Sequence, residues 1–172
     1  VVVKVGWLSD EAQLKVLLDL LPESAPLIVD PVMRTTSGVR VYNDDLKSNL
    51  YQSYVRRSSL FTPNLIEAQN WLGTPSSEPA ELSSRLQLSG ASRVLLKGGH
   101  SDTDCIDDFF IDRDGSSRVF RHERYPGNHR GTGCRLASAI AARVSQGVGY
   151  EQSIADSIDW LTRQIEAAAA AK

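Results

Sequence analysis

Cysteine is scarce in this chain, and the signals of an exported protein are missing with it. Cys105 and Cys134 have no CxxC spacing and are too few for a disulfide framework. None of the five asparagines opens an N-x-S/T sequon. The apolar start "VVVKVGWLSDEAQ" lacks a basic n-region and a small-residue cleavage site. No segment approaches the ~20 apolar residues that span a bilayer. These absences together lead us to expect a soluble, unexported protein of the cytoplasm. His100, His122 and His129 are scattered, with no HExxH or Cys/His zinc pattern, so no structural metal is expected. Basic runs are short, Arg56-Arg57 being the longest, and 19 Lys plus Arg against 21 Asp plus Glu leave a formal charge of −2. Neither nucleic acid nor an anionic membrane is an expected partner.

What remains is an ordinary globular composition, 41% apolar and 23% charged over 172 residues, enough to bury a core as one domain, residues 1–172. Val1 to Val5 is a β-branched run, followed by Leu14, Leu17, Leu18 and Leu21 at helical spacing before Pro22. "PLIVDPV" repeats the strand signal at Leu27 to Val29, and a helix is expected from Asn43 with Leu46 and Leu50 inward. "SLFTPN" gives a third strand, then a helix capped by Asn64 that carries Leu65, Ala68 and Leu72. A further helix holds Leu82 and Leu86, and "RVLLKGG" is a fourth strand, apolar enough to be covered on both faces. Around Asp114-Gly115 the pattern becomes a hairpin, expected as an antiparallel edge. Two helices close the chain, the last over roughly 150–170 with an alanine-rich end that reads as frayed. The expected fold is a three-layer α/β/α domain with a mostly parallel sheet and an antiparallel edge hairpin.

In such sheets ligands bind outside the carboxyl ends of the strands, so residues directly after each apolar run carry the chemistry. Asp30 follows one strand, where Pro31 bars continuation; it is either a turn-forming Asp before Pro or a carboxylate facing the crevice. Asn64 and Glu67 have capping-box spacing, and Glu67 alternatively holds a magnesium or its water shell beside phosphates. Lys97 ends an apolar strand ahead of Gly98-Gly99, a place where a lysine costs burial energy unless it snorkels or meets an anion. In "HRGTGC", Gly131 and Gly133 permit a tight turn, and the helix that follows presents unpaired N–H groups from about Thr132 to Cys134. That is an anion site by geometry, without the G-x-x-x-x-G-K-S/T of a Walker A loop. Cys134 is either a small inert thiol or one whose thiolate the amides and helix dipole favour.

"IVDPVM…SG", "LFTPNLIEAQNWLG", "VLLKGGH" and "NHRGTGCRLASAIAA" occur in an order and spacing that resemble hydroxymethylpyrimidine phosphate kinase, a thiamine-biosynthesis family of the ribokinase-like group. The resemblance runs through essentially the whole chain. It implies a ribokinase-like fold, ATP and Mg²⁺ as cofactors, and a small-molecule substrate, hydroxymethylpyrimidine or its phosphate. Gly131, Thr132, Gly133 and Cys134 would form a catalytic anion hole, with Cys134 where most of the wider group has an aspartate base. Lys97 and Asn64 would approach nucleotide phosphates, and Glu67 and Asp30 would organise the metal. The chain reads as the C-terminal, nucleotide-binding portion of such an enzyme, and a homodimer is the assembly the resemblance suggests. His129-Arg130 replaces the usual Thr-His before Gly131, and Arg34-Thr35-Thr36 stands where a lysine is common. Alternative readings are a nucleotide-binding remnant without activity, a pyridoxal kinase-like enzyme, and, last, a cysteine-nucleophile hydrolase for which no histidine partner can be named.

Overall fold

A computed structural model of the chain describes residues 1–8, 10–33, 49–99, 104–125, 127, 129 and 131–170. Its strands are short and strongly apolar: β1 (Val3–Val5), β2 (Leu27–Val29), β3 (Leu60–Phe61) and β4 (Val94–Leu96), then the longer β5 (Cys105–Ile111) and β6 (Ser117–Glu123). Among the described residues they form one sheet in sequence order, parallel from β1 to β4 and antiparallel from β4 through β6. Because each parallel crossover steps in the same direction, right-handedness puts all the intervening helices on one face. These are α1 (Glu11–Leu20), α2 (Asn49–Arg57), α3 (Leu65–Leu72) and α4 (Pro79–Leu88). The opposite face is covered by α5 (Thr132–Ser145) and α6 (Tyr150–Ala170).

Strand alternation divides the core accordingly. Leu27, Val29, Phe61, Val94 and Leu96 pack with Leu14, Tyr54, Trp71 and Leu82 of the first helical layer. Ile28, Leu60, Leu95, Phe110 and Phe120 face Leu136 and Ile140 of α5 and Ile154 and Ile158 of α6. The expected three-layer architecture and edge hairpin are therefore present. Capping fixes the helix ends: the Asp10 side chain accepts from the Gln13 N–H at 2.9 Å at the start of α1, and Gly73 ends α3 in the left-handed region at φ 61°. The expected helix from Asn43 is seen from Asn49; its start and Leu46 lie outside the described residues. Where fraying was expected, α6 continues through Ala170, consistent with the helix propensity of alanine.

One consequence positions the site. Residues 4, 30 and 97 fall on the α5 side by strand parity, since Val3, Val29 and Leu96 belong to the other layer. The hairpin returns the chain to the carboxyl ends of β1–β4, and α5 starts there.

Candidate functional site

All eight residues expected at the site line one cleft of about 910 Å³, inside the roughly 300–1,000 Å³ of ordinary small-molecule pockets. At its centre the Lys97 Nζ donates to Asp30 Oδ1 at 2.8 Å, and both side chains are nearly sealed from water, 13% and 2% exposed. β4 holds Lys97 in place through its backbone: its N–H donates to the Pro63 carbonyl at 2.8 Å, and Asn64 and Lys97 form an isolated parallel bridge. Burial pushes the Lys97 ammonium down, but the Asp30 and Glu67 carboxylates outweigh it and leave its pKa raised. Burial likewise pushes the Asp30 carboxyl up, yet attraction to Lys97, the hydrogen bond from Lys97, the neighbouring Cys134 thiol and the charge of Lys4 bring it below its ordinary 3.8.

The start of α5 meets this pair directly. Gly131, the residue before the helix, sits in the left-handed region at φ 73°, a conformation that costs a residue with Cβ about 1–2 kcal/mol. A Cβ at Gly133 would lie 3.0 Å from the Lys97 Nζ, so the missing side chain lets the ammonium nest against the first helical turn. The Cys134 thiol lies beside the Asp30 carboxylate. Desolvation raises its pKa from 9.0, and the Asp30 carboxylate adds to the rise, against the opposing pull of Lys4 and Lys97. Of the two readings of Cys134 that the sequence left open, the thiolate favoured by a helix start is opposed here by the Asp30 anion.

Asn64 and Glu67 make a complete capping box, Asn64 Oδ1 accepting from the Glu67 N–H at 2.9 Å and Glu67 Oε2 from the Asn64 N–H at 2.8 Å. Glu67 is also buried at the cleft wall, which pushes its carboxyl above 4.5; Lys97 pulls it down and Asp30 pushes it up. The two carboxylates are thus near enough to repel. Among the described residues no third His, Cys, Asp or Glu joins them in a metal-holding group. Two carboxylates with internal partners suit a magnesium that keeps waters and takes phosphate oxygens.

Lys4 is the residue that motif reading missed. Its Nζ approaches Asp30 Oδ2 at 3.5 Å, giving the carboxylate two cations. The alternation of Val3, Lys4 and Val5, with Lys4 on the α5 side, was the available signal. Asp108 and His122 of the hairpin also line the cleft, at the opposite wall from Asn64 and Ile66. Residues 34–36, His100 and Arg130 lie outside the described residues.

The fold is that of ribokinase-like kinases. A crystal structure of phosphomethylpyrimidine kinase from Clostridium difficile 630 matches with a TM-score of 0.77 at 25% identity, over 95% of this chain and 68% of that one. An ADP complex of Bacillus subtilis pyridoxal kinase matches in fold with a TM-score of 0.78 at 22% identity, over 94% of this chain and 62% of that one. The family model described as phosphomethylpyrimidine kinase matches residues 1–172, and the chain belongs to that family. Among curated hydroxymethylpyrimidine/phosphomethylpyrimidine kinases, that of Staphylococcus aureus (strain MSSA476) is 35% identical over 73% of this chain and 47% of its own length. That of Rhizobium meliloti (strain 1021) is 32% identical over 96% of this chain and 64% of its own length. The chain thus spans about half to two thirds of the length of these relatives. No helix of the described residues is long and apolar enough to cross a membrane.

Proposed function

We propose that this chain phosphorylates hydroxymethylpyrimidine or its phosphate with ATP, a step of thiamine biosynthesis. The observation that carries the reading is the Lys97 ammonium, buried, paired with Asp30 at 2.8 Å and set against the Gly133 turn of α5. A cation and the unpaired amides of a helix start facing one cleft suit a transferring phosphoryl group. Lys97 approaches the nucleotide phosphates, with Asn64 at the mouth of α3. The amides of Gly131, Thr132, Gly133 and Cys134 take up charge on the moving group. Glu67 and Asp30 would hold Mg²⁺, which would neutralise phosphate charge. Cys134, at the same turn, takes the position that the family resemblance gives to the aspartate base of the wider group. Positioning and charge neutralisation supply most of the catalysis in such transfers.

Residues 1–172 form one domain carrying the nucleotide-binding part of this site. The near-neutral charge favours a cytoplasmic enzyme with small-molecule partners rather than nucleic acid or membrane. The assembly we assign to it is a homodimer, as the family resemblance suggests. The test is transfer of the γ-phosphate from ATP·Mg²⁺ to hydroxymethylpyrimidine phosphate and to pyridoxal, with nucleotide binding followed by calorimetry. Transfer to the pyrimidine is expected. Preference for pyridoxal would reassign the substrate, binding without transfer would reduce the chain to a nucleotide-binding module, and no binding would remove the site assignment.

A further inference from the structure

The ladder between β4 and β5 ends with Leu96 opposite Phe109. One step further, side-chain chemistry replaces it. The Gly98 N–H donates at 2.8 Å to Asp108 Oδ1, a side-chain oxygen. A Cβ at Gly98 would fall 2.0 Å from the Asp107 carbonyl oxygen, so the two backbones approach as only glycine allows. Asp108 is only 3% exposed, although its position on the strand faces the layer that holds Phe110 and Phe120. A buried carboxylate is costly unless its oxygens are satisfied. His122 satisfies the second one, Nε2–H donating to Oδ2 at 3.2 Å from a diagonal position on β6.

We infer that Asp108, held by His122, is a positioning residue for Lys97: it clamps Gly98 to β5 and so fixes the corner from which the Lys97 ammonium reaches its anion. The backbone of Lys97 is fastened toward β3 through the Pro63 carbonyl. The next peptide is fastened toward β5 by a carboxylate. With both neighbours tied, the lysine side chain projects only along the α5 side, where Asp30 and Gly133 meet it. An apolar residue at 108 would suit the surrounding layer better, so its carboxylate is explained by what it holds rather than by packing.

This inference rests on the phosphate-binding role of Lys97, and a double-mutant cycle separates the two. Binding of AMP-PCP is measured by calorimetry for the wild type, Lys97→Met, Asp108→Val and the double variant, with thermal unfolding in parallel. Asp108→Val is expected to weaken binding about tenfold with Lys97 present and to leave it unchanged in Lys97→Met, the signature of coupled residues. Asp108→Asn, which keeps an oxygen for the Gly98 N–H, is expected to restore most of the affinity. Should Asp108→Val not fold, His122→Phe carries the same cycle with a smaller loss. Lys97→Met abolishing binding while Asp108→Val binds normally, or an equal loss in both backgrounds, overturns the inference and leaves the proposed function standing. A wild type that binds no AMP-PCP overturns both.

Discussion

Lys97→Met removes one partner of the most enclosed ion pair in the described structure. The pair is 2.8 Å long with its carboxylate 2% exposed, so the substitution leaves a buried charge rather than a solvated one. Breaking such a pair typically costs about 3–5 kcal/mol. Lys4 remains 3.5 Å from the other Asp30 oxygen, which places the loss at the lower end, about 3 kcal/mol. For a domain of this size each kcal/mol moves the unfolding midpoint by about 2–4 °C, so a fall of roughly 6–12 °C is expected. Asp30→Asn should be destabilising too, because it leaves the Lys97 ammonium with only Glu67 opposite. The double variant Lys97→Met/Asp30→Asn removes both charges and should be more stable than the sum of the single losses allows, by on the order of 1–3 kcal/mol. The sign with pH follows from Asp30, whose lowered pKa means its contribution is complete above its ordinary 3.8 and disappears as pH falls through the folded value. Thermal and urea unfolding at neutral pH and across the acid range measure each quantity. Strict additivity of the two substitutions would refute the reasoning, since it would mean that neither charge depends on the other.

Glu67 should show the opposite pH behaviour. Its folded pKa is raised, so the native state binds more protons than the unfolded one above pH 4.5 and wild-type stability falls relative to Glu67→Gln as pH rises through that window; parallel unfolding curves for the two proteins would contradict this. Asn64→Ala removes the acceptor of the Glu67 N–H and should cost about 1 kcal/mol of stability, read as a lower urea midpoint with an unchanged slope. The pH profile for alkylation of Cys134 by iodoacetamide should have its midpoint above that of an ordinary thiol, and Asp30→Asn should shift it downward by removing the anion beside the thiol. Cys134→Ala should lower the turnover of phosphoryl transfer far more than ATP affinity, and equal losses in both would remove its assigned role.

Most of the scaffold was legible because each of the four parallel strands is an apolar run closed by glycine, proline or a polar residue. The period of Leu14, Leu17 and Leu18 likewise announced α1. The buried face of α2 was less visible, since it consists of Tyr51, Tyr54 and Val55 in a segment of low mean hydropathy. The site residues were legible as the first polar residues beyond strands. What sequence could not supply was their mutual arrangement. Whether Glu67 caps α3 or faces the cleft turned out to be no choice, because the same carboxylate does both. The choice between the two readings of Cys134 was out of reach for a related reason. A helix start predicts a thiolate only if its surroundings are not already anionic, and the anion is Asp30, more than a hundred residues earlier in the chain.

Asp30 is therefore the residue around which the arrangement turns. It receives Lys97 from β4, Lys4 from β1 and the thiol from α5, three elements that meet only because β6 delivers the chain to the carboxyl end of the sheet. Lys97 also has the Glu67 carboxylate opposite it, so the two lysines and two carboxylates balance, and the attraction for an anion comes from the start of α5, where the backbone amides lie. An anion entering there can draw Lys97 toward itself while Lys4 keeps Asp30 charged and paired. In the proposed transfer the two lysines divide two tasks that a single one could not perform together: Lys4 holds the carboxylate that faces the thiol, and Lys97 meets the phosphate.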